Sequence, residues 1–377
     1  MTTPGLSSTR LRNAENLIQR YVGDGILPGA VTLVARKGEI VYLKAQGWHD
    51  IENKVPMRED ALFRIYSMTK IVTSVAIMLL YEKGLLDLND SLPKFFPAFA
   101  NLQVKQADGS LVPAARDVTI YDLLRHCGGI SYSVEYDQVK ASHTLETLPD
   151  AVATEPLVEQ PGVKWMYSNV STDMLARLVE IVSGRPFDVY LQENIFAPLG
   201  MRDAGFFVAD DKADRLATSY VYDAEKNLVI FDGSGPESRF RSKPKYLSGA
   251  GGLVCSTDDY YRFASMLLNG GRFGNVVLLG RKTVELMTFD HLPREHDNLR
   301  IGTQCFRFGL GVSVMTDVAA SRCLSSLGEF GWGGALGTQV WINPQEEMLA
   351  MIMIQVRSDI PTGIMDIYKR MVYQALV

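Results

Sequence analysis

An α+β fold is what this sequence predicts, with one antiparallel sheet built from both ends of the chain and a mainly helical stretch inserted between them. Three observations carry that expectation. Strand-patterned runs occur near the start, at 29–36 and 39–45, and again toward the end, at 308–315, 338–342 and 349–356. Apolar helix patterns fill the interval between them. The long connections are punctuated by Asp, Pro and Gly rather than by repeats or low-complexity tracts. The expected division is a discontinuous sheet-bearing part, 1–84 with 225–377, and a mainly helical part, 85–224.

Taken in order, residues 10–23 read as an amphipathic helix ending at Gly23. The runs 29–36 and 39–45 meet at Lys37-Gly38 and read as a hairpin. A helix over 67–84 follows and stops at Gly84; its run Ile71–Leu80 has almost no polar face, so it should be buried. Residues 85–165 are mixed helix and loop. A second apolar helix covers 168–183, ends at Gly184 and has Pro186 just beyond. Residues 187–197 give another, closed by Pro198-Leu199-Gly200. The polar segment 223–246 reads as a long surface loop. Helix pattern returns at 258–268 and 281–287, and a last helix spans 362–375.

Bulk properties exclude several function classes. With 38 basic and 43 acidic residues the formal charge is -5, which argues against a nucleic-acid partner. The longest apolar run, within 71–81, is too short to span a bilayer. Residues 1–8 have no basic and no apolar leader-like region, so a cytoplasmic protein is expected. Four cysteines, Cys127, Cys255, Cys305 and Cys323, and five histidines lack paired or clustered spacing. Neither a disulfide framework nor a metal site is therefore expected, and Cys127 and Cys255 read as buried thiols. His126 reads as a helix-ending residue whose charge suits the dipole. No Gly-x-Ser-x-Gly elbow, dinucleotide fingerprint or P-loop occurs, and no cofactor is expected.

The chemistry-bearing candidates begin with Ser67-Met68-Thr69-Lys70. Serine and lysine three residues apart share a helix face, and a serine at a helix start sees the positive end of the dipole. Burial there disfavours the ammonium form of the lysine. The chain holds two further Ser-x-x-Lys matches, Ser91/Lys94 and Ser242/Lys245, but prolines and polar loop surround them; only Ser67 opens a buried helix. Alternatively, Ser67 is a plain N-cap and Lys70 a snorkelling lysine. Tyr167-Ser168-Asn169, just before the second apolar helix, offers a phenol whose ionised form a neighbouring ammonium would favour, with Asn169 able to fix Lys70 and a substrate; it reads equally as a packed tyrosine. Gly331-Trp332-Gly333-Gly334-Ala335-Leu336-Gly337 precedes a strand and permits close backbone approach; a glycine-rich turn fits it too.

Together these residues resemble the serine β-lactamase and penicillin-binding-protein superfamily, most closely class C β-lactamases and family VIII carboxylesterases. The resemblance extends over nearly the whole chain. It includes Leu123-Leu124-Arg125-His126-Cys127-Gly128-Gly129, Gln160-Pro161-Gly162 through Tyr167-Ser168-Asn169 to Pro198-Leu199-Gly200-Met201, and Gly251-Gly252-Leu253 with Ser256-Thr257-Asp258-Asp259. It implies a β-lactamase/DD-peptidase-like fold, Ser67 as acylated nucleophile, Lys70 as its activator and Tyr167 as general base and acid. It also implies backbone N–H groups of Ser67 and Ala335 as the oxyanion hole, and substrate contacts from Asn169, Trp332, Gly333 and Gly334.

One departure carries chemical meaning. Trp332-Gly333-Gly334 stands where β-lactamases carry Lys-Thr-Gly, as it does in family VIII esterases. A tryptophan supplies no cation for a substrate carboxylate and instead supplies an apolar wall. The expected activity is hydrolysis of a neutral, short- to medium-chain, small-molecule ester through an acyl-serine. The alternatives are a β-lactamase, a D-amino-acid peptidase or amidase, an acyltransferase on the same centre, or a non-catalytic binding protein on this fold. Oligomeric state is left open.

Overall fold

The computed structural model describes residues 2–3, 5–131, 143–301, 304–357 and 363–377. The amphipathic first helix is α1 (Ser8–Gly23), capped by the Ser7 side chain. Next come β1 (Gly29–Arg36), β2 (Glu39–Asp50), β3 (Val55–Pro56) and β4 (Leu62–Arg64), then α2 (Thr69–Glu82). The inserted stretch contributes α3 (Ile120–Leu124) and α4 (Asn169–Ser183). The remainder supplies β5 (Val254–Ser256), α5 (Thr257–Leu268), β6 (Leu299–Ile301), β7 (Gln304–Phe308) and β8 (Ser313–Val314). It closes with β9 (Phe330–Gly333), β10 (Gln339–Asn343), β11 (Met348–Met353) and α6 (Ile364–Tyr373). The expected start of that last helix, Thr362, lies outside the described residues.

Nine strands form one antiparallel sheet in the order β6-β7-β8-β9-β10-β11-β1-β2-β3, so the N- and C-terminal parts of the chain meet where β11 pairs with β1. Strands β4 and β5 pair separately. Both faces of the large sheet are covered, which is why β1 reads as continuous apolar sequence rather than as an alternation. Ala30 and Val34 face α1 and α6. Val31, Leu33 and Ala35 face the larger core, shared with α2, α4 and α5. Every residue of α2 from Thr69 to Leu80 is buried, each large apolar side chain contributing about 2 kcal/mol of transfer free energy.

The course of the chain departs from the sequence reading at these segments. The run 308–315 is not one strand: β7 ends at Phe308, and the chain leaves the sheet through Gly309-Leu310-Gly311. Gly311 has φ +84, and its N–H donates to Leu124 O at 2.9 Å; a Cβ on Gly309 would stand 2.3 Å from Met287 O. The glycines let this segment join the helical side instead of the ladder. Second, 223–246 is not simply loop, because Leu228–Asp232 pairs antiparallel with Ser219–Tyr222. Buried Arg64 anchors that hairpin, donating to Asp232 Oδ2 at 2.8 Å and to Ala217 O at 2.6 Å. Third, the glycine segment precedes a strand, β10, as expected, but it is not loop throughout. Its first residues are β9, inside the sheet, paired with β10 along its whole length, but β8 reaches only Phe330 and Gly331. Trp332 and Gly333 thus have a ladder partner on one side only.

Candidate active site

Ser67 lies where β4 turns into α2. The Ile65 N–H donates to Leu253 O at 3.1 Å, and Tyr66 then takes φ +42, a left-handed conformation that bulky side chains adopt only under constraint. A single 3-10 turn, Tyr66–Met68, leads into α2 and places Lys70 one turn after the serine. Lys70 is 1% exposed. Its ammonium donates to Asn169 Oδ1 at 2.7 Å, Ala250 O at 2.7 Å and Ser67 Oγ at 3.2 Å, and it sits 4.7 Å from the Tyr167 ring centroid. A buried cation needs its donors satisfied, and each of these three acceptors is uncharged.

Tyr167 approaches the serine from the other side, its Oη 2.7 Å from Ser67 Oγ and donating to it. The residue that follows it, Ser168, caps α4 by accepting from the Ser171 N–H at 3.2 Å, so Asn169 opens that helix with its side chain on Lys70. The Trp332 Nε1–H donates to Tyr167 Oη at 3.3 Å. Ser67, Lys70, Tyr167, Asn169 and Trp332 therefore form one connected polar network. Gly334 lies against the serine segment: a Cβ there would stand 2.4 Å from Ile65 O. Gly333 ends β9, and Ala335 follows in the turn closed by the Gly337 N–H to Gly334 O at 3.0 Å.

Trp332, expected to form an apolar wall, is largely enclosed. Trp332 is 8% exposed; it packs at 5.5 Å on Tyr167 and edge-on to Phe306 and Phe308 at 5.5 and 5.2 Å. Its indole supports the phenol from behind more than it faces solvent. Trp165 and His126 complete this aromatic cluster, which sequence spacing gives no means of assembling.

His126 is also corrected. It stands beyond the end of α3 at φ +56, is fully enclosed, and burial with the nearby Lys70 charge pushes its pKa down to about 3. It is thus neutral and does not serve as a charged helix terminus. Its Nδ1 accepts from the Ser168 N–H at 3.3 Å and its carbonyl from the Met166 N–H at 2.7 Å, bracketing Tyr167. Because the folded-state value lies below the ordinary 6.5, the unfolded chain binds the extra proton. This contribution is complete above pH 6.5 and is lost as pH falls toward 3. We expect about 2 kcal/mol of stability to be lost from this group by pH 5. His126→Gln should lose correspondingly less between pH 7 and pH 5 in urea titrations; an equal loss in both proteins would assign the effect to His49 or His291, whose values are also lowered by burial.

Among the described residues, no cluster of three or more His, Cys, Asp or Glu could hold a metal, and no helix is long and apolar enough to cross a membrane. The family model described as Beta-lactamase matches residues 14–374. Protein Rv1367c of Mycobacterium tuberculosis is 36% identical over 357 residues, covering 90% of this chain and 88% of that protein. Esterase EstB of Burkholderia gladioli is 32% identical over 341 residues, covering 82% and 81%. The solved structure of EstCE1, described as a hydrolase with promiscuous acyltransferase activity, superposes with TM-score 0.83 at 26% identity over 98% of each chain.

Proposed function

This chain belongs to the beta-lactamase family, and from that premise we propose that it is a carboxylesterase that hydrolyses neutral, short- to medium-chain esters through an acyl-serine. That it is a serine hydrolase of this fold follows from the family and its esterase relatives; the ester preference is our reading. The observation that carries it is Trp332, a neutral side chain whose indole N–H is engaged with Tyr167 Oη, at the position where a carboxylate-binding lysine would otherwise stand.

In the proposed cycle Tyr167 enters as the phenolate, and Ser67 Oγ attacks the ester carbonyl as its proton passes to the phenolate oxygen. The three acceptors around Lys70 keep its nitrogen a donor, so the phenol oxygen, 2.7 Å away, is the better placed base. The Lys70 charge over the ring and the Trp332 N–H both stabilise negative charge on that oxygen. The backbone N–H groups of Ser67 and Ala335 receive the oxyanion, Gly334 allowing the two segments to approach. Tyr167 then protonates the leaving alcohol, and water activated by the same oxygen releases the acid. Asn169, Gly333 and Gly334 complete the substrate contacts. The site lies at the junction of a sheet-bearing part, 1–84 with 225–377, and a mainly helical part, 85–224. The four cysteines are unpaired, which supports a reducing, cytoplasmic setting within the same proposal.

The test is intact-protein mass spectrometry after exposure to p-nitrophenyl esters of graded acyl length, a β-lactam and a fluorophosphonate. The expected result is a single acyl or phosphonyl increment from the esters and the phosphonate that maps to Ser67, with faster ester than lactam turnover. Preferred turnover of the lactam or of a D-Ala-D-Ala peptide would overturn the ester reading while retaining the nucleophile.

A further inference from the structure

Asp173 lies one helical turn beyond Asn169 in α4 and is fully buried. Its carboxylate gathers the 246–250 segment. Tyr246 Oη donates to Oδ2 at 2.8 Å, while Ser248 Oγ and the Ala250 N–H donate to Oδ1 at 2.9 and 2.8 Å. Burial and the adjoining carboxylate push the Tyr246 phenol far above its usual range, so it remains a donor.

The segment so held is the one that reaches the lysine. Ala250 donates its N–H to Asp173 and, through its carbonyl, accepts from Lys70 Nζ at 2.7 Å. Gly249 is wedged between the two site helices: its carbonyl accepts from Thr73 Oγ1 of α2 at 2.7 Å, and a Cβ on it would stand 2.7 Å from the Ala176 Cβ of α4. A shift of this segment therefore displaces one of the three acceptors that aim the Lys70 ammonium at Ser67. The same helix that presents Asn169 to Lys70 directly thus controls a second acceptor through Asp173.

We propose that Asp173 is a positioning residue for the serine centre, fixing Lys70 through the Ala250 carbonyl. The proposal rests on the reading of Ser67 as nucleophile, and its test separates the two. Labelling by a fluorophosphonate, in which Ser67 Oγ displaces fluoride at phosphorus and its proton passes to Tyr167, is followed by stopped flow over a range of probe concentrations.

Asp173→Ala is expected to lower the limiting labelling rate about 100-fold, the scale of an ångström-level misplacement, with the half-saturating concentration unchanged. Asp173→Asn keeps an oxygen for Ser248 and Ala250 and offers an amide N–H₂ to the Tyr246 hydroxyl, so it should recover most of that rate. A purely structural role would lower the labelled amplitude and the thermal midpoint but leave the rate of the folded fraction unchanged, which would overturn the proposal. Should Asp173→Ala not fold, Tyr246→Phe combined with Ser248→Ala removes two of the donors; a rate loss of about tenfold in the folded protein supports the proposal, and an unaltered rate overturns it. Failure of the parent protein to label at Ser67 would overturn the nucleophile reading, and this inference with it.

Discussion

Ser67→Ala is expected to lower ester turnover by at least about 10⁴-fold, the scale for deleting the nucleophile of a covalent mechanism. The loss should fall on kcat, since the surfaces that would hold the ester are otherwise retained. Stability should change little. Lys70 keeps Asn169 Oδ1 and Ala250 O as acceptors, and Tyr167 keeps the Trp332 N–H. The cost of the missing hydroxyl is then about 1 kcal/mol or less. Purified variant assayed with an activated ester, alongside a thermal melt, checks both halves. Turnover near the parent value from a folded variant would remove Ser67 from the chemistry.

Tyr167→Phe is expected to lower kcat about 10³-fold, within the range for loss of a general base, with KM little altered. Only an oxygen is removed: the ring keeps its packing on Trp332, Trp165 and His126, so the variant should fold. The prediction distinguishes the two groups flanking Ser67 Oγ. If Lys70 were the base, the variant would retain most of its rate, because the lysine and its acceptors remain. A reduction smaller than about tenfold in a steady-state ester assay would transfer the base role to Lys70.

The elements of fold and site that are legible in the sequence are those set by local rules. The hairpin at Lys37-Gly38, the apolar run of α2 and the extent of α4 follow from periodicity and turn residues, and they put Ser67, Lys70 and Asn169 at helix starts. The failures share a different cause. The break after Phe308 depends on backbone partners in distant segments, Leu124 and Met287. Charge on His126 looks favourable beside a helix end, but enclosure by Trp165, Tyr167 and Phe308 makes the neutral form the stable one. Sequence alone turns the Trp332 indole toward substrate, because the partner of its N–H, Tyr167, is far away along the chain. The carbonyl of Ala250 has no signal at all, since any residue carries one. The position of Asp173, four residues after Asn169, is a usable signal: both must share one helix face.

The pairing of β1 with β11 also governs how the molecule comes into being. During translation, α2 leaves the ribosome long before the last strands are made, by roughly tens of seconds at ordinary elongation rates. In the finished fold it is buried on every side, and the sheet core that covers it cannot close until Met348–Met353 reaches Gly29–Arg36. The Ser7 N–H to Ala375 O bond, 2.8 Å, closes later still. A nascent chain therefore carries its most apolar helix, and the serine beside it, without the closed sheet until synthesis is nearly complete.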